Sequence, residues 1–198
     1  YIVPQAGIYS FQANVIGNGE LGLIKNANFH TTDPTITPAA AELLWCEHEG
    51  AIYGVSYDES KGRVTFLASG QEGNGVIAVK DDSGNILWSW HIWMTDQPQE
   101  QIYYNNAGTM MDRNLGATSA TPGEVGALGL LYQWGRKDPF LSGGSISSST
   151  VAKSTITWPS AVSTSSSSGT VSYVTANPTT FVYASSSPYD WHYSSRDN

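Results

Sequence analysis

Two short segments contain residue types that bind metals. Cys46 and His48 are separated by one residue, and both are residue types that bind zinc. No second pair of such residues at the spacing of a zinc site follows them. Asp81 and Ser83 resemble the first positions of a calcium loop, yet the position where a bidentate acid should close that loop is Ile92. We therefore expect a strand at the first segment, a hairpin turn at the second, and no metal site.

Residues 17–22 read Gly-Asn-Gly-Glu-Leu-Gly, which matches the G-x-G-x-x-G pattern of dinucleotide-binding proteins. That chemistry needs a helix directly after the glycines, because the helix N-terminus binds the pyrophosphate. Asn, Thr, Asp and Pro residues between positions 26 and 34 would break such a helix. We predict a glycine-rich turn here and no nucleotide cofactor.

Enzyme motifs are missing from the sequence. It contains no G-x-S-x-G, S-x-x-K, H-E-x-x-H or P-loop pattern, and its four histidines are scattered singly. We therefore expect no catalytic site and no cofactor, and predict that the protein is not an enzyme. The alternative is a hydrolase or modifying enzyme whose acid and base are brought together only by folding.

The charge distribution limits the partners and divides the chain. The 198 residues include nine Lys and Arg against seventeen Asp and Glu, a net charge of -8. Nucleic acids and anionic lipids attract clustered positive charge, so this excess of acid disfavours both partners. Residues 1–100 hold 4 basic and 12 acidic residues, whereas residues 101–198 hold 5 of each. We interpret the chain as two segments of different character.

Alternating apolar and polar residues predict strands throughout the first half. In residues 8–16 every second residue is apolar, which is typical of a half-buried strand. Two hairpins with glycine-containing loops are predicted over residues 51–68 and 75–94. Short strands at regular spacing favour an antiparallel, Ig-like β-sandwich over residues 1–95.

The last strand of this half carries aromatic residues on both of its faces. The face expected in the core contains Ile86, Trp88, Trp90 and Ile92. The other face contains His91 and Trp93, which would either cover a second sheet or a neighbouring domain, or form a stacking platform for a sugar. Trp93 is therefore a candidate ligand contact.

The second half begins with a polar linker at residues 96–100. Short strands are predicted near residues 102–104 and 110–111. Thr121 is a plausible N-cap, and Glu124 three residues later completes a capping box, so we predict a helix ending near Gly135.

The remainder of the second half has little periodicity. Residues 142–171 are rich in Ser and Thr and are predicted to form a long surface loop, with one weak strand at 154–158. Strand-like residues return at 171–174 and 181–184.

Two segments of the second half are specific enough to suggest a family. Residues 111–117 read Met-Asp-Arg-Asn-Leu-Gly-Ala, and residues 129–140 read Gly-Leu-Leu-Tyr-Gln-Trp-Gly-Arg-Lys-Asp-Pro-Phe. They resemble the paired signatures of the FISUMP-type "major paralogous" domain, found in surface lipoproteins and fimbrillin-like proteins of Bacteroidetes-type bacteria. Residues 1–95 are similar to the β-sandwich that precedes this domain.

The resemblance implies a small α+β, C-type-lectin-like domain over residues 96–198. The family pattern continues with a Cys-Pro-x-Gly-Trp-x-Val-Pro segment that does not occur in this sequence, so we expect an incomplete second domain. It also implies a location on the cell surface or outer membrane, with attachment only through a lipid anchor upstream. The implied partner is a surface glycan or protein.

The signature residues have a structural and a functional interpretation. Asp112 and Arg113 would form an ion pair with Arg136 or Asp138, and Asn114 would satisfy backbone groups at a turn. Alternatively, ligand contacts would come from Asp112, Arg113, Asn114, Trp134 and Arg136.

These observations favour a non-enzymatic cell-surface adhesion or fimbria-associated module. The alternative is a carbohydrate-binding module that captures surface glycans. In that case exposed aromatic rings such as Trp93, Trp158 or Trp191 would stack on the sugar. The solvent exposure of the tryptophans distinguishes the two hypotheses.

Overall fold

The computed structural model describes residues 1–17, 34–141, 155–186 and 189–194. The first half contains seven strands, connected mainly by tight turns. They are β1 (Ile2–Val3), β2 (Gly7–Gln12), β3 (Ala40–Cys46), β4 (Ile52–Asp58), β5 (Arg63–Ala68), β6 (Gly73–Lys80) and β7 (Ile86–Met94). The two predicted hairpins are confirmed as β4–β5 and β6–β7.

The seven strands form two sheets that pack face to face. One sheet has the order β1-β7-β6-β3 and the other has the order β2-β5-β4. All pairings are antiparallel except that of β1 with β7, which is parallel. The chain is thus mainly β, and its first half is a sandwich of two sheets.

The core lies between the two sheets and follows the alternation of the sequence. In β5 the residues Val64, Phe66 and Ala68 are buried, while the residues between them are partly exposed. The opposite sheet contributes Ile77, Val79, Trp90 and Ile92 to the same cluster. The predicted core face of the last strand is confirmed for Trp90 and Ile92, and Trp88 packs against the same cluster. At the start of the strand, Leu87 packs against the cluster and Ile86 is partly buried outside it.

Strand β6 is buried on both of its faces. Its first seven residues are all buried, although alternate side chains of a strand point in opposite directions. One set lies in the core, and the other set, which includes Asn74 and Val76, faces the second half of the chain. The outer face of this sheet is therefore the surface on which the second half docks.

The second half is built from very short elements. They are β8 (Glu100–Ile102), β9 (Thr109–Met111), β10 (Leu130–Tyr132), β11 (Pro139–Leu141), β12 (Val162–Ser163), α1 (Val171–Ala176) and β13 (Val182–Tyr183). Strands β8 and β9 pair with each other, as do β10 with β11 and β12 with β13. Single 3₁₀ turns lie at Tyr104–Asn106 and Val125–Ala127. A small buried cluster contains Val174, Val182 and Trp191.

The predicted helix after Thr121 is wrong. The segment contains a 3₁₀ turn and then β10, because three glycines at every third position disfavour a helix by about 1 kcal/mol each. Gly129 adopts a φ of 72°, and its Cα lies so close to the Leu115 carbonyl that a Cβ would meet that oxygen at 2.6 Å. The apolar residues after Thr121 therefore lie in the 3₁₀ turn at Val125–Ala127 and in β10.

The predicted strand at residues 171–174 is also wrong, because α1 occupies this position. The Thr170 hydroxyl accepts a hydrogen bond from the Tyr173 amide at 3.1 Å, and this N-cap, with packing on β7, outweighs the β-branched residues. The strand expected at 181–184 is confirmed as β13.

The described part of the weak strand predicted at 154–158 is not a strand. Instead, Thr155 hydrogen-bonds to Cys46 at the edge of β3, and Trp158 packs against Trp45 with their centroids 5.5 Å apart. The predicted turn at residues 17–22 and the first part of the Ser/Thr-rich loop fall mostly or wholly outside the described residues.

Candidate functional site

The outer face of β7 is the junction between the two halves. Trp93 is 4% exposed, and its indole Nε1 donates to the carbonyl of Ala117 at 3.1 Å. The ring of His91 stacks on Trp93 with centroids 6.3 Å apart, and its Nδ1 lies 3.3 Å from the Tyr132 hydroxyl. Because this face is covered by the second half, Trp93 has no open face to offer a sugar. His91 and Trp93 thus lie between this sheet and the second half of the chain.

Polar groups also connect the two halves across this junction. Asn74 donates to the Gly116 carbonyl at 2.8 Å, and its amide oxygen lies 2.8 Å from His91 Nε2. Burial lowers the pKa of His91 from 6.5 to about 3. The imidazole is therefore neutral at physiological pH, and it acts as a hydrogen-bonding part of the junction.

A buried carboxylate lies at the other end of the junction. Asp138 Oδ1 accepts hydrogen bonds from the Ser89 hydroxyl at 2.6 Å and from Lys137 Nζ at 2.7 Å. Lys137 Nζ also lies 4.6 Å from the centroid of the Trp88 ring, and burial lowers its pKa. A serine, a lysine and an aspartate thus meet, but Ser89 is 3% exposed on a central strand. A substrate cannot reach its hydroxyl, so the arrangement joins the two halves structurally.

The ion pair predicted for Arg113 forms, but with a different partner. Arg113 Nε donates to Asp112 at 2.8 Å, and its terminal nitrogens contact both carboxylate oxygens of Asp96. These hydrogen bonds lower the pKa of Asp112 and of Asp96. The expected pairing with Asp138 is wrong, because Asp138 is buried beneath Lys137 at the junction. Arg113 instead connects Asp96, in the linker, to Asp112, the residue that follows β9.

Asn114 has the structural role that the sequence suggested. Its side-chain amide donates to the carbonyls of Ala127 and Leu128 at 3.2 and 3.4 Å. These carbonyls belong to the 3₁₀ turn, where backbone groups lack partners of their own. The hydrogen-bonding groups of Asp112, Arg113 and Asn114 are therefore engaged within the protein.

Arg136 is a buried clamp and not a ligand contact. Its guanidinium donates to the carbonyls of Thr180, Asn177 and Pro178 at 2.7 to 3.0 Å, and lies 4.9 Å from the centroid of the Phe140 ring. Burial lowers its pKa. The two terminal nitrogens of the planar guanidinium reach carbonyls that are spread apart, whereas a lysine ammonium places its three donors on one nitrogen. Arg136 thus fixes the segment after α1 to β11.

Trp134 is a predicted site residue that is open to solvent, as is Asn114. Its side chain is 92% exposed, at the tip of the turn between β10 and β11. The Arg136 amide donates to the Gln133 carbonyl at 2.9 Å, and Gly135 has a φ of 72°, as expected of a tight turn. The Trp134 carbonyl accepts a hydrogen bond from Trp191 Nε1 at 2.6 Å. The ring is therefore presented on a well-held backbone.

Three tyrosines lie on segments that are hydrogen-bonded to this turn. Gln133 Nε2 donates to the Val182 carbonyl at 2.5 Å, which brings the next residue, Tyr183, beside the turn. Tyr189 and Tyr193 lie two residues on either side of Trp191. The side chains of all three tyrosines are exposed, by 42%, 70% and 44% in chain order. We call Trp134, Tyr183, Tyr189 and Tyr193 the aromatic face, a name for four exposed rings on segments that hydrogen bonds hold together.

The structure does not bring the predicted site residues together. Trp93 lies at the junction between the halves. Residues 112–114 bind the linker through Asp96 and the 3₁₀ turn through Ala127. Arg136 is buried and binds the segment after α1. Trp191 is 6% exposed and Trp158 packs against Trp45 and Phe140, so neither presents an open ring as suggested. The three tyrosines were missed because no periodicity marks them, although they surround Trp191 and Val182 in sequence.

The described residues contain no group of three or more His, Cys, Asp and Glu side chains that could hold a metal ion. Cys46 is buried at the end of β3. Within the described ranges, no helix has the length and apolar character of a membrane span.

Comparisons with protein-family models, with curated proteins and with solved structures find no match to this chain. The assignment of function therefore depends on the residues and their geometry.

Proposed function

We propose that the protein is a non-enzymatic adhesion module of the cell surface that binds neutral glycans on the aromatic face. The observation that carries this proposal is Trp134, a large apolar ring that is 92% exposed on a backbone held by Trp191 and Gln133. A tryptophan ring exposed to this extent buries little area on folding, and further exposed rings lie on the segments that are hydrogen-bonded to its turn. A rigid, exposed ring is suited to a ligand contact.

The chemistry of the aromatic face favours sugars. The faces of aromatic rings carry partial negative charge, and they attract the weakly positive C–H groups of a sugar ring. Hydroxyl groups of Thr164, Ser165 and Ser168 lie in the adjoining segment, where Thr164 Oγ1 donates to the Trp191 carbonyl at 2.6 Å. The charged groups near this face are engaged within the protein, since Arg136 and Asp138 are buried and Asp190 accepts a hydrogen bond from the His192 amide, so the proposed ligand is an uncharged glycan.

The proposal includes a division of labour between the halves. The sandwich serves as an Ig-like carrier, and the second half serves as a lectin-like unit that makes the contact. It is supported by the FISUMP-like segments at residues 111–117 and 129–140, since the second of them contains Trp134 and Arg136. Labelling of intact cells with a reagent that cannot cross membranes tests the surface location separately.

A glycan array followed by calorimetry tests the binding activity. The 198-residue chain is applied to an array of neutral glycans, and the best soluble oligosaccharide is titrated into the wild type and into Trp134→Ala. We expect on the order of a tenfold loss of affinity in the variant. Trp134→Tyr should recover part of that loss.

Tyr104→Ala is the matched control, because Tyr104 is an 84% exposed aromatic residue outside the aromatic face. It should bind the oligosaccharide as the wild type does. The proposal is wrong if the wild type binds no neutral glycan, or if Trp134→Ala binds as tightly as the wild type.

A further inference from the structure

The β8–β9 hairpin presents apolar side chains to solvent on both of its faces. The register pairs Ile102 with Thr109 and Gln101 with Met110, so Ile102 and Met111 share one face and Met110 lies on the other. All six strand residues are exposed, Ile102 by 79% and Met110 by 61%. Tyr104, near the tip, is 84% exposed. A two-stranded hairpin without a covered face is marginally stable in water, so this surface calls for a partner.

The β9 edge of this hairpin is also unprotected. From Thr109 to Met111 there is no charged residue, no proline and no bulge, which are the usual devices that prevent an edge from pairing with another chain. By contrast, the β3 edge of the sandwich is covered at Cys46 by Thr155. In the described part of the chain, no strand other than its hairpin partner pairs with β8 or β9.

The two edges differ in what they would bring together. An antiparallel pair of β8 strands centred on Gln101 would place the Glu100 carboxylate opposite Ile102 of the other strand. An antiparallel pair of β9 strands centred on Met110 places Met110 opposite itself and Thr109 opposite Met111. The second arrangement buries no charge, so β9 is the favoured edge.

The distribution of charge favours a second copy as the partner. The formal charge of -8 lies in residues 1–100, while residues 101–198 are neutral. Two copies joined at β9 would bring their neutral halves together. Pairing of two three-residue edges covers only part of the apolar surface of each hairpin, so the interface should be small and the association weak.

We propose that two copies of this chain associate through antiparallel pairing of β9 with β9, with the two-fold axis at Met110. The pairing joins the two hairpins into one four-stranded sheet. It satisfies the backbone groups of both β9 edges, and it brings the apolar residues of the two hairpins side by side on each face.

Cysteine cross-linking tests the register directly. Residues directly opposite each other on neighbouring strands have Cβ atoms about 5 Å apart, close to the separation that a disulfide needs. In a Cys46→Ser background, Met110→Cys should form a covalent dimer under mild oxidation. Ile8→Cys is the control, because Ile8 is a 74% exposed strand residue of the sandwich, and it should remain monomeric. Equal cross-linking of the two variants, or none for Met110→Cys, would overturn the proposal.

Sedimentation velocity tests the association without a disulfide. The wild type should shift from monomer to dimer between about 1 and 200 μM, the range expected for a small interface. Met110→Lys places two like charges opposite each other and should stay monomeric, whereas Ile8→Lys should dimerise as the wild type does. Far-UV circular dichroism confirms that each variant is folded.

Two further results bear on the partner. If the wild type stays monomeric and instead floats with vesicles of zwitterionic phosphatidylcholine, the hairpin binds lipid and the proposal is wrong. Trp134→Ala leaves the β9 edge intact and should dimerise as the wild type does. Met110→Lys leaves the aromatic face intact and should bind a soluble oligosaccharide as the wild type does. Failure of dimerisation is therefore distinguishable from failure of glycan binding.

Discussion

Among the described residues, fourteen buried ones form the core of the sandwich, whereas the second half contains a buried cluster of three. The second half is instead held by polar groups: the Arg136 clamp, the Arg113 ion pairs, and the hydrogen bonds across the junction. Its strands have two or three residues, compared with six to nine in most of the sandwich.

This difference in construction corresponds to a difference in what each half offers to a partner. The sandwich buries its large aromatic residues, including Trp45, Trp90 and Trp93. The second half exposes Trp134, Tyr104 and Ile102. An apolar core makes a stable support, and a surface positioned by specific hydrogen bonds can leave apolar groups open for binding.

The largest expected effect is on the core of the sandwich. Phe66 is 1% exposed and packs against Tyr9 and Phe11, so Phe66→Ala should lower the free energy of unfolding by about 3 to 5 kcal/mol. Phe181→Ala in the second half, where the ring is 41% exposed, should cost about 1 kcal/mol. Guanidinium unfolding followed by tryptophan fluorescence measures both. Similar losses would contradict the contrast between the halves.

Arg136→Met should have the next largest effect, and it should be local. The substitution leaves the carbonyls of Thr180, Asn177 and Pro178 without their charged donor, at a cost of about 3 kcal/mol. Hydrogen exchange should accelerate at the amides of Asn177 and Val182 and stay unchanged at Ile77.

Arg136→Lys is the matched control for this prediction, because it keeps the positive charge and loses the planar, forked arrangement of donors. It should not restore the protection of these amides from hydrogen exchange. Faster exchange throughout the sandwich would mean that the two halves unfold as one unit.

Asn74→Ala should loosen the junction by about 2 kcal/mol. Asn74 is 2% exposed, and loss of its amide leaves the Gly116 carbonyl without this donor and removes one of the hydrogen bonds to the Glu47 carboxylate. Asn85→Ala is the comparison, because Asn85 bonds to Asp81 in an exposed turn and should cost less than about 0.5 kcal/mol. Thermal unfolding of both variants measures the difference, and equal melting temperatures would exclude a structural role for the junction.

The smallest effect should be a pH dependence at the junction. The pKa of His91 is lowered to about 3, so the unfolded chain binds the proton more readily than the folded one. Stability is therefore complete above about pH 6.5 and decreases as the pH falls towards 3. Because His91 is partly exposed, the loss at pH 5 should be about 1 kcal/mol.

His91→Gln should remove this part of the pH dependence while it keeps polar contacts with Asn74 and Tyr132. Unfolding at pH 7 and pH 5 gives the difference between the two proteins. If the free energy of unfolding depends on pH equally in the wild type and in the variant, burial of His91 at the junction does not lower its pKa as stated. The contributions of other acid-sensitive groups, such as Glu47, to the pH dependence are present in both proteins and cancel in this comparison.

The strands of the sandwich could be predicted from the sequence because their signal is local. Alternation at residues 8–16 and glycine-containing loops in two hairpins determine which residues face the core. The second half could not be predicted in the same way. The capping pattern at Thr121 indicates a helix, but Gly123, Gly126 and Gly129 make a turn more favourable. A six-residue helix capped by Thr170 forms where β-branched residues suggested a strand.

The candidate site shows the same limit. The sequence identified Trp134, Arg136 and Trp93 as candidate contacts, but it contained no information on their exposure. Burial of Trp93 depends on the docking of the second half on β7. Exposure of Trp134 depends on a turn that is held by Trp191, 57 residues further along the chain.

The sequence by itself determined the mainly β character of the protein, the location of its sandwich and the uneven distribution of charge. These properties follow from residue types and from spacings of a few positions, which act before any long-range contact forms. The tertiary structure alone decided that Arg113 pairs with Asp96, that Arg136 is a clamp, and which aromatic rings remain open to a ligand. Each of these depends on segments that are distant in sequence and meet only when the second half packs on the sandwich.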